Sequence, residues 1–328
     1  MPVIVNATEE HPFLPSRTSS AAIEACRAEH QDIRPMNIMV VNLMADKIGT
    51  ERQLAEWLGD SPIQVSLTFT ATDDYLQAIK QGRVPRNTPV EHIEKFYTSW
   101  RDVQNQKFDG LIVTGVNALK PDMTHEAMWP EVAAILDWST TNVLSSVFLC
   151  WGGQAALRYF HNIDRVLQPR KTWGVFPHRT DRDSTGLLRG LSDVYSMPVS
   201  RWDEIAPEDL AAHPELECAS VSEEAGISVI VEPRPYDDGR RRYPYRVYVL
   251  GHPEYATDTL ANEHRRDFAK DPTTPVPRHY FPGDDPTQPP INTWRSTARL
   301  YTRWVEALYE ATPFDAHQIP APCRLRDK

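Results

Sequence analysis

A thiol closes the apolar run SSVFLC at Cys150, and the chain continues at once into WGGQ. A cysteine between a buried strand and a helix start lies near the positive end of the helix dipole, which favours thiolate over thiol. Two glycines beside it permit the sharp strand-to-helix turn of a nucleophile elbow. The backbone N–H of Trp151 then points at an oxyanion formed by attack of that sulfur, and the Gly115–Val116 loop offers a second N–H. Downstream, GHPEY supplies His252 to take the proton and Glu254 to orient the imidazole, a Cys–His–Glu triad in chain order. Taken singly each of these residues has a plainer reading: a strand-end cysteine is packed filler, a glycine a turn, a histidine hydrogen-bonded scaffold. Together they point to covalent catalysis.

The elements that must position these groups alternate. RPMNIMVVNLM, residues 34–44, is apolar on both faces, as a central parallel strand is. After it come the helix TERQLAEWLGD with Thr50 as N-cap, the strand PIQVSLTFT and a helix over 90–103. FDGLIVTG, the helix MWPEVAAILDWST and VLSSVFLC continue the pattern. This βαβ order predicts an α/β fold, an open and mostly parallel sheet flanked by helices, with functional groups at the carboxyl ends of the strands. Gly115, Cys150 and His252 all stand at such ends. The C-terminal half is more elaborated: strands at VYSMPVS, ISVIVEP and YRVYVLGH, a helix at DTLANEHRRDFAK, a proline-rich loop near 271–290 and a closing helix at TWRSTARLYTRWVEALYEA. Residues 1–34 form an N-terminal arm with one short helix around SAAIEACRAEH, 35–311 a single domain, and 312–328 a C-terminal tail.

The 328 residues are 41% hydrophobic, enough for a large core. A formal charge of −10 argues against binding to a phosphate backbone and for small-molecule partners, with no nucleic acid and no membrane among them. The N-terminus lacks a signal-peptide pattern and there is no 18-residue apolar run, so the expected location is cytoplasmic. The four cysteines, Cys26, Cys150, Cys218 and Cys323, form no C-x-x-C pair, and His178, His213 and His279 are scattered, so no metal is expected.

VFLCWGGQAAL and GHPEY resemble the nucleophile and His/Glu segments of the homoserine O-succinyltransferase and O-acetyltransferase family. IRPMNIMVVNLMADKIGTERQ, KTWGVFPH, SRW, HPEYATDTLANEHRRD, YFPGDDP and WRS agree in order over roughly residues 33–315. The resemblance implies a class I glutamine-amidotransferase-like, flavodoxin-like fold and a ping-pong reaction in methionine biosynthesis. Cys150 takes an acyl group from acetyl-CoA or succinyl-CoA as a thioester and passes it to the side-chain hydroxyl of L-homoserine, with no bound cofactor. It also implies a homodimer, and it assigns the substrate pocket to Lys47, Lys171, Ser200 and Arg201, an amino-acid carboxylate to Arg266 and an ammonium to Glu263.

Where this chain departs from the family, the pocket is affected and the triad is not. The loop after Gly115 reads GVNALKPDM. It puts Leu119 where the family has a glycine or glutamate that influences the acyl group, and a leucine gives a succinyl carboxylate no partner, which favours acetyl-CoA. Val199, Thr297 and Asp46 also replace family residues, so L-serine is an alternative acceptor. A glutamine amidase or hydrolase with the same triad, and a non-catalytic binding protein, are more distant alternatives.

Overall fold

The computed structural model describes residues 34–83, 87–116, 118, 120–236 and 241–312 in full, together with the backbone of 3–5 and 22–24. Strands β1 (Val3–Val5) and β2 (Ala22–Glu24) pair in parallel, and β1 lies along the strand here named β4. A strand thus occupies 22–24, where the sequence predicted a helix; pairing with a sheet edge overrides local helix propensity. The chain continues through β3 (Met36–Val41), α1 (Lys47–Gly59), β4 (Val65–Ala71), α2 (Asp73–Lys80), α3 (Val90–Phe96), β5 (Thr98–Ser99), α4 (Trp100–Val103), β6 (Phe108–Val113), α5 (Trp129–Asn142), β7 (Val143–Leu149) and α6 (Trp151–His161). The second half holds β8 (Arg165–Thr180), β9 (Val194–Ile205), α7 (Pro207–Ala211), β10 (Glu217–Ser222), β11 (Gly226–Pro235), β12 (Arg242–Val249), α8 (Thr259–Phe268) and α9 (Arg299–Ala311).

One sheet runs in the order β2-β1-β4-β3-β6-β7-β12-β11-β10-β8-β9, with β5 beside β4. Its parallel centre is β4-β3-β6-β7-β12. Numbered along the chain, these five strands have the 2-1-3-4-5 order of flavodoxin-like folds. From β12 to β9 the pairing is antiparallel. Both faces of the centre are covered, and the pleat divides the strands between them: Ile38 and Val40 pack with Leu54 and Leu58 of α1 and Tyr301 and Trp304 of α9. Met39 and Val41 pack on the opposite face with Val103 of α4, Ile135 of α5 and Ala156 of α6.

Other local differences from the sequence reading have identifiable causes. Helix α1 begins at Lys47, because the Asp46 carboxylate accepts from the Gly49 N–H at 3.0 Å; Thr50 sits inside the first turn and donates to the Asp46 carbonyl at 2.9 Å. The helix expected over 90–103 breaks at Tyr97, whose backbone is extended and whose hydroxyl is drawn inward to Asn42 and Glu51. Strands β8 and β10 carried no clear pattern. Pro169 and Pro177 interrupt β8, and its pairing with β9 shifts register between Leu167 and Thr172.

Candidate active site

Strands β6, β7 and β12 are neighbours in the sheet, so the loops after their carboxyl ends share one crevice. Gly115 follows β6, Cys150 follows β7 and His252 follows β12. Cys150 has φ 50° and ψ −117°, a conformation that ordinary side chains avoid and that marks a strained elbow. The surrounding backbone fixes it there. Its N–H donates to the Val249 carbonyl at 2.7 Å, and its carbonyl accepts from the Gln154 N–H at 3.2 Å. Close approach of α6 to β6 requires Gly152, where a Cβ would lie 2.8 Å from the Val113 carbonyl oxygen and 2.9 Å from that of Thr114. A Cβ on Gly115 would sit 3.0 Å from the Cys150 Cβ, so the two loops touch. Trp151 opens α6, which leaves its N–H without an intrahelical acceptor. Val116 lines the same cavity as Cys150.

The His252 imidazole is 4% exposed and meets Glu254 with 2.7 Å between Nδ1 and Oε1. That contact leaves Nε2 for Cys150, which acts on the ring both as a charge and as a hydrogen-bond partner. Burial, the largest single influence, disfavours the imidazolium, but Glu254 and Cys150 together outweigh it and raise the pKa to about 10. The arrangement is a cysteine sulfur beside an imidazolium with a carboxylate behind it. Glu254 is itself held: the Tyr301 hydroxyl donates to Oε2 at 3.3 Å, and the Trp57 indole donates to its carbonyl at 3.1 Å. Tyr255 stacks on His252, with ring centres 4.1 Å apart and planes 18° from parallel. Sequence reasoning missed Tyr255, Tyr301 and Trp57 as parts of the site. Only Tyr255 carried a signal, its place directly after Glu254.

Of the expected substrate residues, Lys171, Ser200 and Glu263 come together. Glu263 Oε2 accepts from Ser200 Oγ at 2.8 Å and lies 3.5 Å from Lys171 Nζ, while Oε1 accepts from the Tyr255 hydroxyl at 2.9 Å. Burial lowers the Lys171 pKa against the pull of Glu263. Tyr255 thus links this group to the triad. Arg266 is exposed, and its guanidinium forms a two-pronged bond to Asp267 at 2.8 and 3.0 Å. Arg201 is 4% exposed and donates to the carbonyls of Asp203, Leu250, Ala225 and Ile227, so it braces β9, the chain before His252 and the β10–β11 turn. With Ser200 and Cys150 it lines a cavity of about 290 Å³. Lys47 lies across Val116, in a second cavity of about 250 Å³. Its ammonium donates to the carbonyls of Asn42 at 2.7 Å and Met44 at 3.2 Å, and burial lowers its pKa to about 8 in spite of Glu51. Leu119 lies outside the described residues.

The family model described as homoserine O-succinyltransferase matches residues 2–314. This chain belongs to that family. As a member of the homoserine O-succinyltransferase family, it is an acyltransferase. It is 41% identical over 295 residues to a homoserine O-acetyltransferase of Thermotoga petrophila, covering 89% of this chain and 91% of the relative. A homoserine O-acetyltransferase of Geobacillus kaustophilus is 40% identical over 293 residues, with 88% and 91% covered. Among solved structures, the one titled "Crystal structure of SMU.1228c" matches with a TM-score of 0.54 at 15% identity, over 84% of this chain and 100% of its own, a likeness of fold.

Proposed function

We propose that the protein transfers an acetyl group from acetyl-CoA to the side-chain hydroxyl of L-homoserine through a thioester on Cys150, with acetyl-CoA a co-substrate and no cofactor bound. The observation that carries this reading is the strained Cys150 against the buried His252–Glu254 pair at the wall of a cavity, in a chain whose relatives are homoserine O-acetyltransferases. The Cys150 sulfur attacks the thioester carbonyl of acetyl-CoA. The resulting oxyanion takes hydrogen bonds from the Trp151 and Val116 N–H groups. As the carbonyl re-forms, the bond to the CoA sulfur breaks and His252 Nε2 supplies its proton. In the second half, His252 takes the proton of the homoserine hydroxyl while that oxygen attacks the acyl-enzyme, and the Cys150 thiolate leaves. Arg266 binds the amino-acid carboxylate at the rim. The cluster of Lys171, Ser200 and Glu263 faces the ammonium, with Lys47 and Arg201 shaping the pocket walls.

Leu119, which offers a succinyl carboxylate no partner, and the names of the relatives both favour acetyl over succinyl. The family resemblance supports a cytoplasmic homodimer acting in methionine biosynthesis; among the described residues no helix is long and apolar enough to cross a membrane. The test is a matrix of acetyl-CoA and succinyl-CoA against L-homoserine and L-serine. Release of CoA is expected to require an acceptor and to be fastest with acetyl-CoA and homoserine. Free acid without an acceptor would assign hydrolysis instead, and preference for serine or succinyl-CoA would reassign the substrate. Intact-mass measurement with acetyl-CoA alone should show an acetyl adduct that Cys150→Ala lacks.

A further inference from the structure

At the far end of α6 from Cys150, a second constellation assembles from residues distant in sequence. His161 is the last residue of α6, and His213 and Glu215 lie in the turn between α7 and β10. One ligand atom from each of the three lies within 4.8 Å of the others. We propose that His161, His213 and Glu215 bind a divalent transition-metal ion of the zinc type, which clamps the end of the nucleophile-bearing helix to the segment before β10.

The geometry is that of a ligand set. Nδ1 of His161 is 3.2 Å, and Nδ1 of His213 2.9 Å, from the same oxygen, Oε1 of Glu215. Ligand bonds of about 2.0–2.1 Å in a tetrahedral zinc site place neighbouring ligand atoms roughly 3.3 Å apart, so the two edges need only small adjustment. The ligand types, two imidazoles and a carboxylate, suit zinc, cobalt or nickel rather than calcium or magnesium. An outer layer is also built. Nε2 of His161 is 2.9 Å from the Tyr248 hydroxyl and 3.5 Å from Oε2 of Glu232, and Glu232 is held by Arg246 at 2.8 Å. A carboxylate behind the remote ring nitrogen is the usual partner of a metal-bound histidine, because it fixes the ring and directs the other nitrogen's lone pair at the ion. Nδ1 of His161 faces the Glu215 carboxylate, where an ion can take the place of a ring proton. The carbonyls at the C-terminal end of α6 add negative potential.

The ion's surroundings are graded from inside to outside. The side chain of His161 is 6% exposed and that of Glu232 13%, whereas Glu215 is 47% exposed. An ion therefore reaches the ligands from solvent and keeps a water in the fourth position. His161 stands eleven positions along the chain from Cys150 at the elbow, a span of roughly 16 Å at the rise of an α-helix, so the ion is a structural clamp and not a participant in acyl transfer. The proposal is independent of which acyl group or acceptor the active site uses.

Full-length protein stripped with a chelator and dialysed should take up a single Co²⁺ per chain with the visible absorption of low-coordinate cobalt, and Zn²⁺ should displace it. Zn²⁺ should also raise the melting temperature, because it binds the folded state alone. His213→Ala and Glu215→Gln, checked for folding by circular dichroism, should each lose the absorption band and the thermal shift while acyl transfer continues at the wild-type rate. Glu232→Gln, which keeps all three ligands, should weaken uptake about tenfold to a hundredfold, as loss of an outer partner does. Absence of saturable uptake by the wild type would overturn the proposal. So would uptake unaltered in both His213→Ala and Glu215→Gln, which would place the ion elsewhere, for example on the Cys150 thiolate.

Discussion

The charge on His252 depends on two neighbours working against burial, and that balance can be tested one residue at a time. With its pKa raised from 6.5 to about 10, the imidazolium contributes stability that is complete below pH 6.5 and is lost as the pH rises through about 10. Glu254→Gln removes one of the charges that sustain the cation but leaves its burial, so the His252 pKa should fall. NMR titration of the ring should show this directly. Alkylation of Cys150 by iodoacetamide should slow at neutral pH in the same variant, since the sulfur loses the cation beside it; an unchanged pH profile would contradict the pairing. In the proposed function, Arg266 exchanges Asp267 for the amino-acid carboxylate. Exposed ion pairs are worth about 0.2–1 kcal/mol, so Asp267→Asn should lower the KM for homoserine by a factor of roughly 1.5–5. Arg266→Ala should raise that KM and leave the rate of enzyme acylation by acetyl-CoA near the wild-type value.

At the scale of elements, the elbow is made by the contact of α6 with the end of β6. Gly152→Ala would push a Cβ against two backbone carbonyls that cannot move independently of the strand. The helix must then withdraw, at a cost of about 1–3 kcal/mol, and the Cys150 φ/ψ changes with it. Thermal unfolding should record the loss of stability, and the acylation burst should fall further than the folded fraction does. A burst that tracked the folded fraction would mean that the elbow tolerates the extra carbon. Arg201 acts at this scale too, since its four carbonyl partners belong to three separate stretches of chain.

Over the whole molecule, the parallel centre of the sheet carries the proposed nucleophile and its histidine and glutamate partners, and its antiparallel extension supplies much of the pocket wall. Ser200 and Arg201 come from β9, at the far end of the strand order, and reach the cavity at Cys150. A third apolar cluster, which includes Trp173 of β8, Tyr255, Leu260 of α8 and Trp294, ties that extension to the loop that carries His252 and Glu254. Analytical ultracentrifugation should give twice the chain mass for the homodimer; a monomer mass under assay conditions would remove dimerisation from the account.

The amino-acid sequence by itself determined the βαβ alternation, because buried parallel strands require uninterrupted apolar runs such as MNIMVV and VLSSVFL, and it singled out Cys150 as the candidate nucleophile because a thiol between such a run and two glycines has few structural reasons to be there. It also pointed to His252 and Glu254, two residues apart on one strand end. Tertiary structure alone decided which strands are neighbours, and so that Gly115, Cys150 and His252 share a crevice. It alone set Tyr301 and Trp57 on Glu254, turned Arg201 inward to the carbonyls of Ala225, Ile227 and Leu250, and joined His161 to His213. These contacts link residues separated by tens to hundreds of positions, and no local periodicity encodes them: they follow from the order of strands in the sheet and the packing of α1 and α9 against it.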